Sequence, residues 1–269
     1  MPRARVNGID VDYRIDGRGD PLVLIMGFGG PKEAWFFQRR PFGKRFQVVT
    51  FDNRGVGRSS KPPGPYTMQM MADDAVGLMD HLGIQKAHVA GVSMGGMIAQ
   101  HVALSHPERV EKLVLGCTFA SKDEEGGHSR AYVKALGLPE DATEDDLRAI
   151  DFRKVAAMVV YLAVNGWLAS TVVRSLSRVF GAMLGTDGVR GQFEAIPGHD
   201  TLASLHAIKA PTLVITGAED RLIDPRSSDA IASRIPDARL VKVEGGSHMF
   251  FISKRGTFNR EVLDFLRGS

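Results

Sequence analysis

The run Gly91-Val92-Ser93-Met94-Gly95-Gly96 constrains this chain more than any other, because it joins a strand-like stretch, Lys86 to Ala90, to a helical one, Met94 to Ser105. A serine at so sharp a strand-to-helix turn occupies strained backbone, with its Oγ raised at the top of a sheet and the neighbouring turns very close. Glycine two positions before and two after removes the Cβ atoms that would collide there. The glycine-serine-glycine spacing alone occurs often by chance. The strand before it and the helix after it give it meaning.

Around this junction, short β-branched runs alternate with longer helical ones, the pattern of strand-helix crossovers in a mainly parallel sheet. Strands are expected at Pro21 to Gly27, Phe46 to Asp52, Lys86 to Gly91 and Lys112 to Thr118. Helices are expected at Met68 to Leu82, closed by Gly83, and at Met94 to Ser105, ended by His106-Pro107. Ile9 to Ile15 alternates and reads as an antiparallel edge strand. From Ser121 to about His206 the alternation stops and helical spacing takes over. It resumes with Thr212 to Gly217, Ser227 to Arg234, Leu240 to Val243 and an amphipathic helix at Lys254 to Leu266. The expected organisation is a core of residues 1–120 and 207–269, interrupted by a helical cap at 121–206. Within the cap, Val155 to Val164 and Trp167-Leu168 are apolar nearly all round, as in a helix with two buried faces.

With 269 residues and 43% hydrophobic side chains, the chain can bury a substantial core. Lys and Arg outnumber Asp and Glu by 34 to 31, a small excess that carries no nucleic-acid signal. The clusters Arg39-Arg40 and Glu140 to Asp146 read as solvated surface. The single cysteine, Cys117, lies in an apolar run and reads as a buried, inert thiol. No cysteine cluster suggests a metal. Without an apolar signal core or a membrane-length apolar run, a cytoplasmic enzyme that does not act on membranes is expected.

Acyl transfer by a serine needs a base, a group that orients the base, and donors for the developing oxyanion. Of the eight histidines, only His248 follows a late strand and a glycine-rich loop, Glu244-Gly245-Gly246-Ser247. His81, His88, His101, His106, His128, His199 and His206 are assigned to helices, helix ends or the insertion. The acid should follow an earlier strand, and Asp220 in Gly217-Ala218-Glu219-Asp220 is preferred to Glu219 and Asp224. Glu219 has surface charge as its plain alternative, and Asp224 a turn or helix cap. His199-Asp200 is set aside, since sequence neighbours cannot easily pair through their side chains. For the oxyanion hole the candidates are the backbone N–H groups of Met94, at the start of a helix, and of Phe28, in the turn Gly27-Phe28-Gly29-Gly30.

Five segments in this order, MGFGG (Met26 to Gly30), DNRGVGRS (Asp52 to Ser59), GVSMGG (Gly91 to Gly96), GAEDRLIDP (Gly217 to Pro225) and GGSH (Gly245 to His248), resemble the α/β-hydrolase fold family in its capped serine-hydrolase branch. The resemblance spans most of the chain. It implies an α/β core with a sheet of about eight strands, a Ser93/Asp220/His248 triad and no cofactor. Met26 stands where such proteins commonly carry histidine, so a side-chain role there is lost while the backbone donors are not. Asp52 and Arg54 are expected to tie their loop down. Serine at position 93 argues against the dehalogenase and epoxide-hydrolase branches, which use aspartate.

The function expected is hydrolysis of a small or medium carboxylic ester, lactone or thioester through an acyl-enzyme on Ser93. Because neutral imidazole is the working base, activity should fall on acidification. Met158, Val159, Tyr161, Leu162, Trp167, Phe180 and Met183 suggest a partly apolar small-molecule substrate. GVSMGGMIAQ and PERVEKLVL also resemble enol-lactonases and cofactor-free haloperoxidase or perhydrolase relatives. For an anionic lactone the cations to hand are Arg153, Lys154 and Arg174. Two other classes stand beside the enzyme: a non-catalytic ligand-binding member of the fold, and a membrane-docked protein using Val155 to Leu168. A homo-oligomer is left open.

Overall fold

The computed structural model of the protein describes residues 2–121 and 187–268. Its strands are β1 (Arg3–Val6), β2 (Ile9–Asp16), β3 (Asp20–Ile25), β4 (Phe46–Phe51), β5 (Ala87–Val92), β6 (Val110–Gly116), β7 (Thr212–Gly217) and β8 (Ala238–Val243). They form one eight-stranded sheet in the order β1-β2-β4-β3-β5-β6-β7-β8. β1 with β2, and β2 with β4, pair antiparallel; every later pair is parallel. β5 and β7 are buried at every position, as central parallel strands covered on both faces must be.

Alternate strand residues serve opposite faces. Val23, Ile25, Val49, Phe51, Val89, Leu113 and Leu115 meet the helices α2 (Met68–His81) and α3 (Met94–Ser105). Their neighbours Leu22, Leu24, Val48, Ala90, Val92 and Val114 pack with Trp35 and Phe42 of the segment ending in α1 (Phe36–Phe42), and with Phe258 and Val262 of the C-terminal helix Arg255–Leu266. The start of α2 is fixed by Thr67, whose side chain accepts a hydrogen bond from Met70 N–H at 3.0 Å. Gly83, at φ 69°, ends it in the left-handed conformation that suits glycine.

Most strand boundaries lie within two residues of those expected. One strand was not foreseen: β1 covers β2, so Ile9–Asp16 is the second strand of the sheet and Arg3–Val6 is the edge. Asn7 and Gly8, both at positive φ, close the tight hairpin between them. His88 is a second correction. It sits on β5, buried at the edge of the Phe46 ring, and burial lowers its pKa.

β6 and β7 are neighbours in the sheet although residues 117–211 lie between them in the chain. Ser121 bridges Asp200 and Thr201 N–H donates to Ala120 O at 2.8 Å, so the end of β6 lies beside the segment returning to β7. That returning segment carries α4 (Asp187–Ala195) and a 3-10 turn, Leu202–Ala207. The rest of the expected cap lies outside the described residues, with its apolar stretch, His128, the acidic segment Glu140 to Asp146, and Arg153, Lys154 and Arg174. Among the described residues, no helix is long and apolar enough to cross a membrane.

His199, on the returning segment, is buried between Phe119 O (3.1 Å from Nε2) and His101 Nε2 (3.2 Å from Nδ1). Burial, with His101 nearby, lowers its pKa to about 3, while burial also lowers that of His101. As pH falls below about 6.5, the unfolded chain takes up a proton that folded His199 refuses, so stability drops towards the folded value. His199→Gln should therefore flatten the fall between pH 6.5 and 5 by up to about 1.4 kcal/mol per pH unit. Chemical denaturation across that range measures it, and an unchanged slope would contradict the assignment.

Candidate active site

Ser93 sits at φ 55°, ψ −126°, between the end of β5 and the start of α3, a conformation that a side chain other than glycine adopts only under constraint. The constraint comes from packing on all sides. A Cβ on Gly91 would lie 2.0 Å from Gly95 O, and one on Gly95 would lie 2.2 Å from Ile25 O. Ser93 N–H donates to Gly116 O on β6 at 2.8 Å, and Ser93 O accepts from Gly96 and Met97 in the first turn of α3. The residue is thus clamped from both neighbouring strands while its side chain stays half-buried.

His248 and Asp220 come to this point from the loops after β8 and β7. Asp220 Oδ1 accepts from Leu222 N–H at 2.9 Å and Ile223 N–H at 3.0 Å, which orients the carboxylate. Its Oδ2 lies 2.7 Å from His248 Nδ1. A carboxylate there selects the tautomer with its proton on Nδ1, so Nε2 presents a lone pair. Ser93 Oγ is 3.0 Å from that Nε2 and donates to it. Asp220 and His248 are both buried. Of the rejected acids, Glu219 is exposed and Asp224 accepts from Arg226 at 2.8 Å.

The Met26 to Gly30 turn lies directly against the serine: a Cβ on Gly27 would come 3.1 Å from Ser93 Cβ. Phe28 follows at the next position. Gly30 N–H donates back to Gly27 O at 3.1 Å, Asn53 Nδ2 donates to Met26 O at 2.9 Å, and Gly29 N–H donates to Gln192 Oε1 at 3.0 Å. Met94 is buried and opens α3, where the first amides have no acceptor within the helix.

Behind this turn is a buried ionic cluster. Lys32 is fully buried, its Nζ 3.0 Å from Asp52 Oδ2 and 2.5 Å from Asp12 Oδ1. Its backbone N–H donates to Asp52 Oδ1 at 2.7 Å, and Arg58 N–H donates to Asp52 Oδ2 at 2.8 Å. Burial works against the lysine charge, but the hydrogen bonds to Asp12 and Asp52 outweigh it and hold the pKa above the ordinary lysine value. Arg54 makes a two-pronged bond to Asp74, at 2.6 and 2.7 Å. Asp52 and Arg54 therefore anchor their loop. Cys117, at the end of β6, is buried; burial, reinforced by the Asp220 charge, keeps its thiol neutral. Among the described residues there is no cluster that could ligate a metal.

Lys32, Asn53 and Gln192 were not singled out by the sequence, although Asn53 lies inside the DNRGVGRS motif. Nothing local in the chain marks Lys32 or Gln192, because their partners are remote.

A family model described as alpha/beta hydrolase fold matches residues 20–255. The chain is 31% identical to "Putative carbamate hydrolase RutD" of Azorhizobium caulinodans over 98% of both chains. The crystal structure of a hydrolase from Pseudomonas aeruginosa PA01 superposes with a TM-score of 0.82 at 31% identity, covering 100% of this chain and 98% of the other. The enol-lactonase from Burkholderia xenovorans LB400 does so at 0.80 and 30% identity, covering 99% and 100%.

Proposed function

This chain belongs to the alpha/beta hydrolase fold family, and from that premise we propose that it is a serine hydrolase that cleaves a carboxylic ester through an acyl-enzyme on Ser93. The carrying observation is the unbroken relay from Asp220 Oδ2 to His248 (2.7 Å) and from His248 Nε2 to Ser93 Oγ (3.0 Å).

In the first half-reaction, Ser93 Oγ attacks the carbonyl carbon while its proton passes to His248 Nε2. Asp220 stabilises the resulting imidazolium. The tetrahedral oxyanion is held by the Phe28 and Met94 N–H groups. Collapse breaks the ester bond, and the alcohol departs with the proton from His248. In the second half-reaction, water gives a proton to His248 and attacks the acyl carbon. The carboxylic acid leaves as Ser93 regains its hydrogen. Every atom required comes from these side chains, the substrate and water.

A carbamate carbonyl or an enol-lactone could enter the same relay, and the names of the relatives favour including both. A panel of neutral p-nitrophenyl esters, an anionic enol-lactone and an N-unsubstituted carbamate, run against the parent and Ser93→Ala, separates these readings. Esters should be turned over best, with all turnover dependent on Ser93. Preference for the lactone or carbamate would move the substrate class, and no turnover of any of them, with no covalent labelling, would favour a ligand-binding role.

A further inference from the structure

α4 is seated on the oxyanion turn through successive residues. Gln192 is fully buried; its Oε1 accepts from Gly29 N–H at 3.0 Å, while its Nε2 donates to Arg54 O at 2.7 Å. Phe193, the next residue, packs its ring 6.0 Å from that of Phe28. One turn earlier, Gly188 touches the loop that carries Arg54, and a Cβ there would come 2.5 Å from Gly55 Cα. Only glycine at both positions lets the helix backbone come this close. Arg54 itself is anchored through Asp74. Gln192 thus ties a turn that needs support to a loop that already has it.

We propose that Gln192 is a positioning residue for the oxyanion hole, holding the Phe28-Gly29 turn in register with Ser93 and so coupling the seating of α4 to turnover. The inference rests on the reading of Ser93 as the nucleophile. Gly29 sits at φ 64°, which turns its N–H away into Gln192. Without that acceptor the peptide between Phe28 and Gly29 gains freedom to rotate, and the Phe28 amide immediately before it loses its aim. The effect falls on the transition state, where charge develops on the oxygen, and not on substrate binding.

The test is Gln192→Met, which keeps the volume and removes both hydrogen bonds. Deleting an oxyanion donor outright costs ~10²–10³-fold in kcat, so a misplaced one should cost roughly 10- to 100-fold with KM within about twofold. Labelling of Ser93 by a fluorophosphonate should slow in step. Backbone hydrogen exchange in peptides spanning 24–31 should quicken. Gln192→Glu is the second variant: protonated, it can still donate to Arg54 O, whereas ionised it repels it, so its activity relative to the parent should rise as pH falls. Parental kcat in a folded Gln192→Met protein, a lowered melting temperature with kcat intact, or unchanged exchange at 24–31 would overturn the proposal. If Gln192→Met does not fold, a pH-independent ratio for Gln192→Glu overturns it. Should Ser93→Ala prove as active as the parent, the nucleophile reading has failed instead, and the exchange measurement alone decides whether Gln192 holds the turn.

Discussion

Replacing Ser93 with alanine is expected to lower kcat on the best ester by roughly 10⁴-fold or more while leaving KM little changed. The reason lies in how the site divides its labour. Among the described residues, Ser93 Oγ is the one hydroxyl that the His248 lone pair meets, at 3.0 Å. In the proposed mechanism, removing it deletes the covalent route but leaves the imidazole, its carboxylate partner and the backbone amides in place. What survives is the modest acceleration that an oxyanion hole and bound water can provide. Asp220→Asn should come close to the same loss, about 10⁴-fold, by a different route. An amide in place of the carboxylate favours the imidazole tautomer with its proton on Nε2, and the serine then faces a donor. A Ser93→Ala protein within tenfold of the parent would mean that another group carries the chemistry.

Lys32→Met should produce the largest loss of stability. The ammonium is the cation buried between Asp12 and Asp52, whose side chains are 2% and 1% exposed. Its removal leaves carboxylates buried with part of their compensation gone, and breaking such a pair from one side costs about 3–5 kcal/mol. For a chain of this size that corresponds to a fall of roughly 10 °C in melting temperature. Arg3 lies 3.8 Å from Asp12 but is more than half exposed, so it is a poor substitute. Because the pKa of Lys32 is raised, its stabilising contribution is complete below the unfolded-state lysine value and is lost only as pH rises through the higher folded-state value. The deficit of Lys32→Met should therefore be full at neutral pH. A shift of less than about 1 kcal/mol, measured by denaturant titration, would show that the surrounding backbone donors suffice.

Much of this architecture could be read from the chain because its signals are local. The Gly91 to Gly96 turn, the apolar runs of β5 and β7, and the Gly245 to His248 loop each carry their message within a few residues. β1 was missed for the opposite reason. In Arg3–Val6 only Ala4 and Val6 are apolar, and the strand shows itself through the hairpin it makes with Ile9–Asp16. The dipeptide Asn7-Gly8, flanked by alternating apolar residues, was the available sign. His88 shows a subtler failure. A polar residue inside an apolar strand packs against an aromatic ring, that of Phe46, which no sequence window displays. Lys32 and Gln192 lay beyond reach, since a buried lysine or glutamine depends on partners that only the folded chain assembles. Lys32 meets Asp52 across 20 positions, and Gln192 meets Gly29 across 163.

The most direct test is mass spectrometry of the protein after treatment with a fluorophosphonate, beside the His248→Ala variant. A single adduct on the peptide bearing Ser93, formed orders of magnitude more slowly in His248→Ala, is the predicted result. A parent that stays unlabelled, or an adduct on any other residue, would contradict the assignment of Ser93 as the activated nucleophile.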